Sequence, residues 1–225
     1  MSNSTITFHK IVAPPPEVLS QIIEVQVEAL HHDPFRHCLV GGDWSILPAL
    51  ERALVGAVHV AGEIWVAQDG DEIVAFAGWF GPGRELLDGS PEQEAAGWND
   101  FAELMPTELR DFWYNDFTPS FDGFVEETLG AGMKKKSWDL ALLATRPDYQ
   151  RRGIGRRLVE VKEKQLAQDG EILVCLESAT EKNTRLYESW GWQVQGHRTF
   201  SSPYGWYDTW VMTKSLNSCS FPPAE

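Results

Sequence analysis

The chain is short of three things. It has 3 cysteines in 225 residues, 19 basic residues against 33 acidic ones, and no apolar run of membrane-spanning length. Each shortage excludes something. Cys38, Cys175 and Cys219 cannot all pair within one chain, and Cys175 sits inside the apolar run ILVCLE. A disulfide-stapled scaffold is excluded, and a reducing compartment, cytoplasm or nucleus, is the expectation. A formal net charge of -14 argues against nucleic acid or an anionic membrane as the main partner, since both need a basic surface. The opening MSNSTITFHK has no apolar signal core, so no export signal is expected there.

What the chain does have is tryptophan. Ten indoles in 225 residues must largely fill a core or line a pocket, because exposed indoles invite aggregation. The length suits one domain with a substantial core, and residues 1–225 are read as a single domain. TITF reads as a first strand by its β-branched and aromatic content. APPPEVLSQIIEVQVEALHHDP reads as a helix opened by prolines and closed by Pro34. DWSILPALERALVG predicts a second helix with Leu47, Leu50 and Leu54 on one face. GEIWVAQ and EIVAFAGWF flank DGD, a favoured hairpin turn.

Residues 82–137 stand apart. Between Glu85 and Glu127 there are twelve acidic residues and one basic residue, Arg110. Weak helices joined by loops are expected, with Phe101, Phe112, Trp113, Tyr114, Phe117 and Phe121 facing inward and the carboxylates mostly outward. The last third is more regular. WDLALLAT is a strand, and a helix runs to about Gln168. EILVCLES is another strand, and TEKNTRLYESWG a short helix closed by Gly191. WQVQGHRTF and GWYDTWVMTK form a final hairpin, and a short tail follows from about residue 215.

Between WDLALLAT and its helix lies RPDYQRRGIGRR, a basic, glycine-broken turn in an acidic chain. The strand, turn, helix and next strand form a βαβ unit with parallel strands and a right-handed crossover. Gly153 and Gly155 clear side chains from the first helical turn, whose amides lack internal partners and attract phosphate. Arg151, Arg152, Arg156 and Arg157 add local positive charge. A dinucleotide fingerprint lacks its third glycine here, and no G-x-x-x-x-G-K-[ST] loop exists. A tight turn with solvated arginines is the plain alternative.

LALLATRPDYQRRGIGRRLVEVKEKQ resembles the acetyl-CoA-binding segment of the GCN5-related N-acetyltransferase (GNAT) superfamily: strand four, then [QR]-x-x-G-x-[GA], then a helix. Gln150, Gly153 and Gly155 occupy the marked positions, preceded by Pro147 and Tyr149. A second block, ESATEKNTRLYESWGWQ, resembles strand five and its following helix, with Leu186, Tyr187, Glu188, Gly191 and Trp192 matching. The family often has an asparagine seven residues before the tyrosine, where this chain has Thr180, and Asn183 lies one turn later. The stretch 82–137 reads as an insertion of the kind found in fungal-type members, shaping the acceptor site.

The resemblance implies an α/β (α+β mixed) fold: a mostly antiparallel sheet with strands four and five parallel and splayed, and helices on both faces. It implies acetyl-CoA as donor, with its diphosphate on the amides of Arg151, Arg152, Gly153, Ile154 and Gly155, helped by Arg156 and Gln150. Leu143 and Thr145 would pair by backbone with the pantetheine arm, and Asn183 would approach the coenzyme. Tyr187 would protonate the departing thiolate. Asp139 and Glu177 are candidate bases, each equally readable as a strand residue in water or a salt bridge. Trp79, Trp113, Trp206 and Tyr207 are candidates for an acceptor pocket suited to a small-molecule or peptide amine. The six histidines show no ligand spacing, His31-His32 reads as a helix surface end, and no metal is expected. The leading reading is direct N-acetyl transfer to a primary amine. O-acyl transfer and a coenzyme-binding regulatory module without turnover are the alternatives, and monomer or homodimer stays open.

Overall fold

The computed structural model describes residues 5–170 and 173–216. Its strands are β1 (Thr7–Ile11), β2 (Glu63–Asp69), β3 (Glu72–Phe80), β4 (Trp138–Thr145), β5 (Leu173–Ser178), β6 (Gln193–Ser202) and β7 (Gly205–Ser215). They form one sheet in the order β1-β2-β3-β4-β5-β7-β6. All neighbours are antiparallel except β4 and β5. That parallel pair is brief: Trp138 meets Val174 and Asp139 meets Cys175, and no further pairing follows. The two strands then part and leave a slot in the middle of the sheet. The sequence-based expectation of a mixed sheet with splayed parallel central strands is met.

β4 carries a bulge. Gly78 pairs with Leu142 and Trp79 with Leu140, so Ala141 is an extra residue on β4. A bulge changes the phase of the side chains across it. Leu142 and Ala144 pack in the core cluster on one face of the sheet, while Leu140 packs in the cluster on the other.

The helices are α1 (Pro16–Leu30), α2 (Pro34–Leu39), α3 (Leu47–Ala61), α4 (Pro91–Gln93), α5 (Asn99–Leu104), α6 (Thr107–Asp111), α7 (Thr118–Leu129), α8 (Ile154–Gln168) and α9 (Glu181–Ser189). α3 buries Leu47, Leu50, Leu54 and Val58, the stripe its period predicts. With α1 and the β3–β4 connection it covers one face, around Phe76, Phe101 and Phe112. α8 covers the other through Leu158, Val159 and Leu166, next to Trp65 and Trp79.

Several local expectations change. The first strand spans Thr7–Ile11 rather than TITF, because its partner β2 extends to Ile64 opposite Ile11. Pro34 does not close α1, which ends at Leu30; it opens α2, whose first turn is capped by the Asp33 carboxylate accepting from the Arg36 amide at 2.9 Å. Proline is tolerated at a first helical position because that amide is unpaired in any case. Glu171, Ile172, Cys219 and the tail beyond Leu216 lie outside the described residues.

The β3–β4 connection is more ordered than loops and weak helices. α4 and α5 are joined through Glu94–Trp98 by a kink at Gly97; α6 runs into a π-helical turn at Phe112–Phe117 and then α7. The π turn inserts about one residue into a helical run, and such turns often accompany a functional site. At the kink, Gly97 takes φ 139°, and a Cβ there would lie 3.0 Å from Ala53 Cα. Backbone-to-backbone contact with α3 therefore requires glycine at this position.

Candidate active site

The slot between β4 and β5 opens into a cavity of about 700 Å³. Ala141, Leu142 and Leu143 of β4, Glu177 and Ser178 of β5, and Asn183 and Tyr187 of α9 line one part. Phe35 and Leu39 of α2, Leu54 of α3, and Trp98, Trp113 and Phe117 of the connection line the rest. Eight carboxylates reach its wall: Asp33, Glu85, Asp88, Glu94, Asp122, Glu126, Asp139 and Glu177. Three cations do, and each has a carboxylate nearby. Arg36 Nε donates to Glu51 at 2.6 Å, Lys134 Nζ to Glu177 at 2.7 Å, and Lys135 lies 3.5 Å from Glu85. The chamber is aromatic and acidic.

The connection thus lies over the cavity, with Phe101, Phe112, Trp113 and Phe117 buried, as expected. Tyr114 is half exposed. Of its twelve carboxylates, Glu85, Asp88, Glu94, Asp122 and Glu126 line the cavity, a larger share than the outward arrangement expected. Among the proposed pocket aromatics, Trp113 lines it, held by its indole N–H donating to the Leu39 carbonyl at 2.8 Å. Three others do not. Trp79 is fully buried on the α8 face, where it follows Ala75 and Ala77 in the alternation of β3; Trp206 is 70% exposed at the tip of the last hairpin; Tyr207 is buried among Phe35, Phe117 and Phe200.

At the root of the slot sits a buried charge cluster. Asp139 is 1% exposed, not an edge residue in water. Its carboxylate lies 3.5 Å from Lys134 Nζ, which bridges to Glu177. Burial pushes the Asp139 carboxyl up to about 7, against the pull of Lys134 and with the push of Glu177. Burial, with Asp139 and Glu177 adding to it, pushes the Cys175 thiol up as well, so it is no ready nucleophile. Lys134 is held as a cation by Asp139 and Glu177 despite its burial. Asp122 is raised by desolvation and by the nearby Glu85, Glu177 and Glu126.

Tyr187 borders the cavity where α9 passes the slot. Its ring packs edge-on to Trp190 and Trp192, with centroids 5.2 and 6.1 Å apart. Burial raises its hydroxyl above the ordinary range, so it stays protonated and able to donate at neutral pH. Asn183 is exposed on the first turn of α9, its amide donating to the Thr180 hydroxyl at 3.2 Å. Thr180 is the N-cap, so it holds the place of the family asparagine by a capping role.

On the opposite side of the sheet lies the glycine turn. Arg151 and Gly153 both have positive φ, 60° and 75°. The first intrahelical bond of α8 runs from the Arg157 amide to the Gly153 carbonyl at 3.0 Å. The preceding amides, Arg151 to Arg156, are offered to solvent or ligand. Gly155 lets α8 start close to β4: a Cβ there would meet Thr145 Oγ1 at 3.3 Å. The Gln150 amide donates to the Thr145 carbonyl at 3.1 Å and braces the turn. Arg152 stacks its guanidinium 4.9 Å from the Tyr149 ring, and Arg156 pairs with Glu160 at 2.6 Å. This cradle fits a diphosphate, and the slot beside Leu143 fits an extended thiol-bearing arm.

A family description, the acetyltransferase (GNAT) domain, matches residues 119–194, the segment from α7 through α9. Solved structures resemble the whole chain. A histone acetyltransferase HPA2 and related acetyltransferase structure from Corynebacterium glutamicum is 22% identical, covering 98% of this chain and 97% of its own, with TM-score 0.57. Arylalkylamine N-acetyltransferase 2 from Aedes aegypti is 14% identical over 94% and 99%, with TM-score 0.60. The polyamine N-acetyltransferase of Drosophila melanogaster is 13% identical over 94% and 100%, with TM-score 0.58. The chain has the GNAT fold. The sequence match is confined to residues 119–194, and the likeness of fold extends over nearly the full chain. No curated protein matches the sequence.

Sequence reasoning missed three residues of the cavity. Lys134 belongs to a KKK run that reads as a solvated surface. Asp122 is one of twelve acids with nothing to single it out. Gln26 was legible: it falls on the stripe of Ile22, Val25 and Leu30 on α1, a polar residue in an apolar place.

Proposed function

We propose that this protein is an acetyl-CoA-dependent N-acetyltransferase that transfers acetyl directly to a primary amine of a small molecule or peptide. The observation that carries this reading is a single cavity joining the Tyr187 hydroxyl at the strand slot to an acidic, aromatic chamber. The amides of Arg151 to Gly155 and the side chain of Arg156 would hold the diphosphate, and the β4 edge at Leu143 and Thr145 the extended arm. The chamber would draw a cationic amine through its excess of carboxylates. The insect relatives described as polyamine and arylalkylamine N-acetyltransferases support an amine acceptor of this kind.

The chemistry follows from two protons. An ammonium must lose one before its nitrogen can attack the thioester carbonyl. Asp139, raised to about 7, is poised near neutral pH, where a general base works best; Glu177, on the same lysine, is its partner in the cluster. As the C–N bond forms and the C–S bond breaks, the sulfur takes a proton from the Tyr187 hydroxyl. Tyr187 is restored from solvent, and the amine proton leaves through the cluster. The net change is amine plus thioester to amide plus thiol.

The test is thiol release from acetyl-CoA with a panel of primary amines. Release that depends on an amine supports the reading. Coenzyme binding with no release for any amine would leave a binding module, and release with hydroxyl acceptors alone would mean O-acyl transfer.

A further inference from the structure

Gln26 is fully buried on α1, and neither its Oε1 nor its Nε2 has a hydrogen-bond partner. Buried polar side chains are nearly always satisfied. A carboxamide retained for packing alone would have found a partner or been replaced by an apolar residue of similar shape, which costs nothing in hydrogen bonds. Gln26 is, however, among the residues that line the cavity, as are Leu30 and residues of the β3–β4 connection. Its position is structural and its chemistry is unspent.

We infer that Gln26 is a specificity-determining residue that reads an uncharged hydrogen-bonding group on the body of the acceptor; this rests on the acetyltransferase reading above. The carboxamide offers a donor and an acceptor together. A group satisfying both must itself donate and accept, as a hydroxyl or carboxamide does. An ammonium only donates and would leave Nε2 unpaired. A carboxylate only accepts and would meet a wall carrying eight carboxylates against three paired cations. The surrounding wall, with Leu30, Leu54, Trp98 and Trp113, fits an apolar stem between that group and the reacting amine. The acceptor class is therefore a primary amine with an apolar body and a neutral hydroxyl or carboxamide at its far end.

The experiment uses the full chain, acetyl-CoA and two matched series of amines, 2-phenylethylamines and linear alkylamines. Each series carries hydrogen, hydroxyl, carboxamide or carboxylate at the end remote from the amine. The wild type should favour the hydroxyl or carboxamide member of at least one series over the hydrogen member by about tenfold or more in kcat/KM, and should reject the carboxylate. Gln26→Met, which keeps the shape, should bring that ratio to within about twofold. The same variant should melt about 2–4 °C higher, because it removes an unpaired buried amide; Gln26→Leu serves if Met packs poorly. A wild type indifferent to the remote group in both series overturns the inference, as does a variant that keeps the wild-type ratio. A variant that melts lower with the ratio intact overturns it too, showing a packing role. Absence of thiol release with every amine overturns the acetyltransferase reading itself and the inference with it, whereas release without discrimination overturns only the inference.

Discussion

The two sides of the slot are built by different means. On the α8 side, the proposed recognition would rest on backbone: a turn with two positive φ values, a row of unpaired amides and a strand edge. The arginines around it are exposed. On the cavity side, recognition rests on side chains brought from α1, α2, α3, the β3–β4 connection, β4, β5 and α9. There Asp139 is buried, paired with Lys134 and raised by its burial. Backbone recognition needs only a few residues in a row, so it can be written as a short motif. Side-chain recognition by seven elements has no such compression. The proposed donor site can therefore stay constant while the acceptor site changes.

The sharpest test of this division is at its boundary. Tyr187→Phe should leave coenzyme affinity unchanged and slow thiol release in the chemical step by roughly 10²- to 10⁴-fold, measured before steady state so that product release does not mask it. A variant releasing thiol at the wild-type rate would reduce Tyr187 to a packing residue between Trp190 and Trp192.

Asp139 tests whether the acceptor side alone answers to pH. Its carboxyl is near 3.8 when unfolded and about 7 when folded. The folded state then holds more protons between those values, and its contribution to stability falls as pH rises from about 4 to about 7. Asp139→Asn should remove this term, flattening the stability profile in that window by up to about 1.4 kcal/mol per pH unit. The rate, if Asp139 is the base, should rise through the same upper value and lose that rise in the variant. Parallel denaturation curves of the two proteins across pH 4 to 8 would refute the shift.

Gly153→Val tests the donor side. A Cβ at this position meets no atom within 4 Å, so crowding within the protein is no obstacle. The cost comes from holding a β-branched residue at φ 75° and from placing bulk before the amides. Coenzyme affinity should fall by roughly tenfold or more with a fold intact by circular dichroism, and acceptor KM should hold. Unchanged affinity by calorimetry would remove the cradle from the donor site.

The smallest expected effect is at Asp122, solvent-accessible and facing the cavity. Asp122→Asn should raise KM for a cationic amine by a few-fold, in line with about 0.5–1 kcal/mol for an exposed charge, and the change should shrink with added salt. Coenzyme affinity should not move.

The unequal legibility of the two sides has a physical cause. WDLALLAT matches β4 residue for residue, and the glycine turn, α8 and α9 stand where the sequence puts them, because local propensity and tertiary packing agree there. Asp139 and Glu177 were legible as candidates, but not the lysine between them, since Lys134 is adjacent to Glu177 only after β4 and β5 pair. Trp79 misled because both faces of β3 are buried, so alternation alone does not tell which face meets the cavity. Pro34 misled because a proline can end one helix or begin the next, and the Asp33 cap decided between them. The π turn at 112–117 leaves no compositional trace, as its residues suit an ordinary helix.

The π turn at 112–117 has an evolutionary consequence. It stores one surplus residue in a helical run that borders the cavity. Losing that residue would turn the wider loop back into regular helix and rotate all that follows in the run by about 100°. A one-codon deletion or insertion in the connection could therefore present a new set of side chains to the acceptor in a single step, while β3 and β4 keep their register.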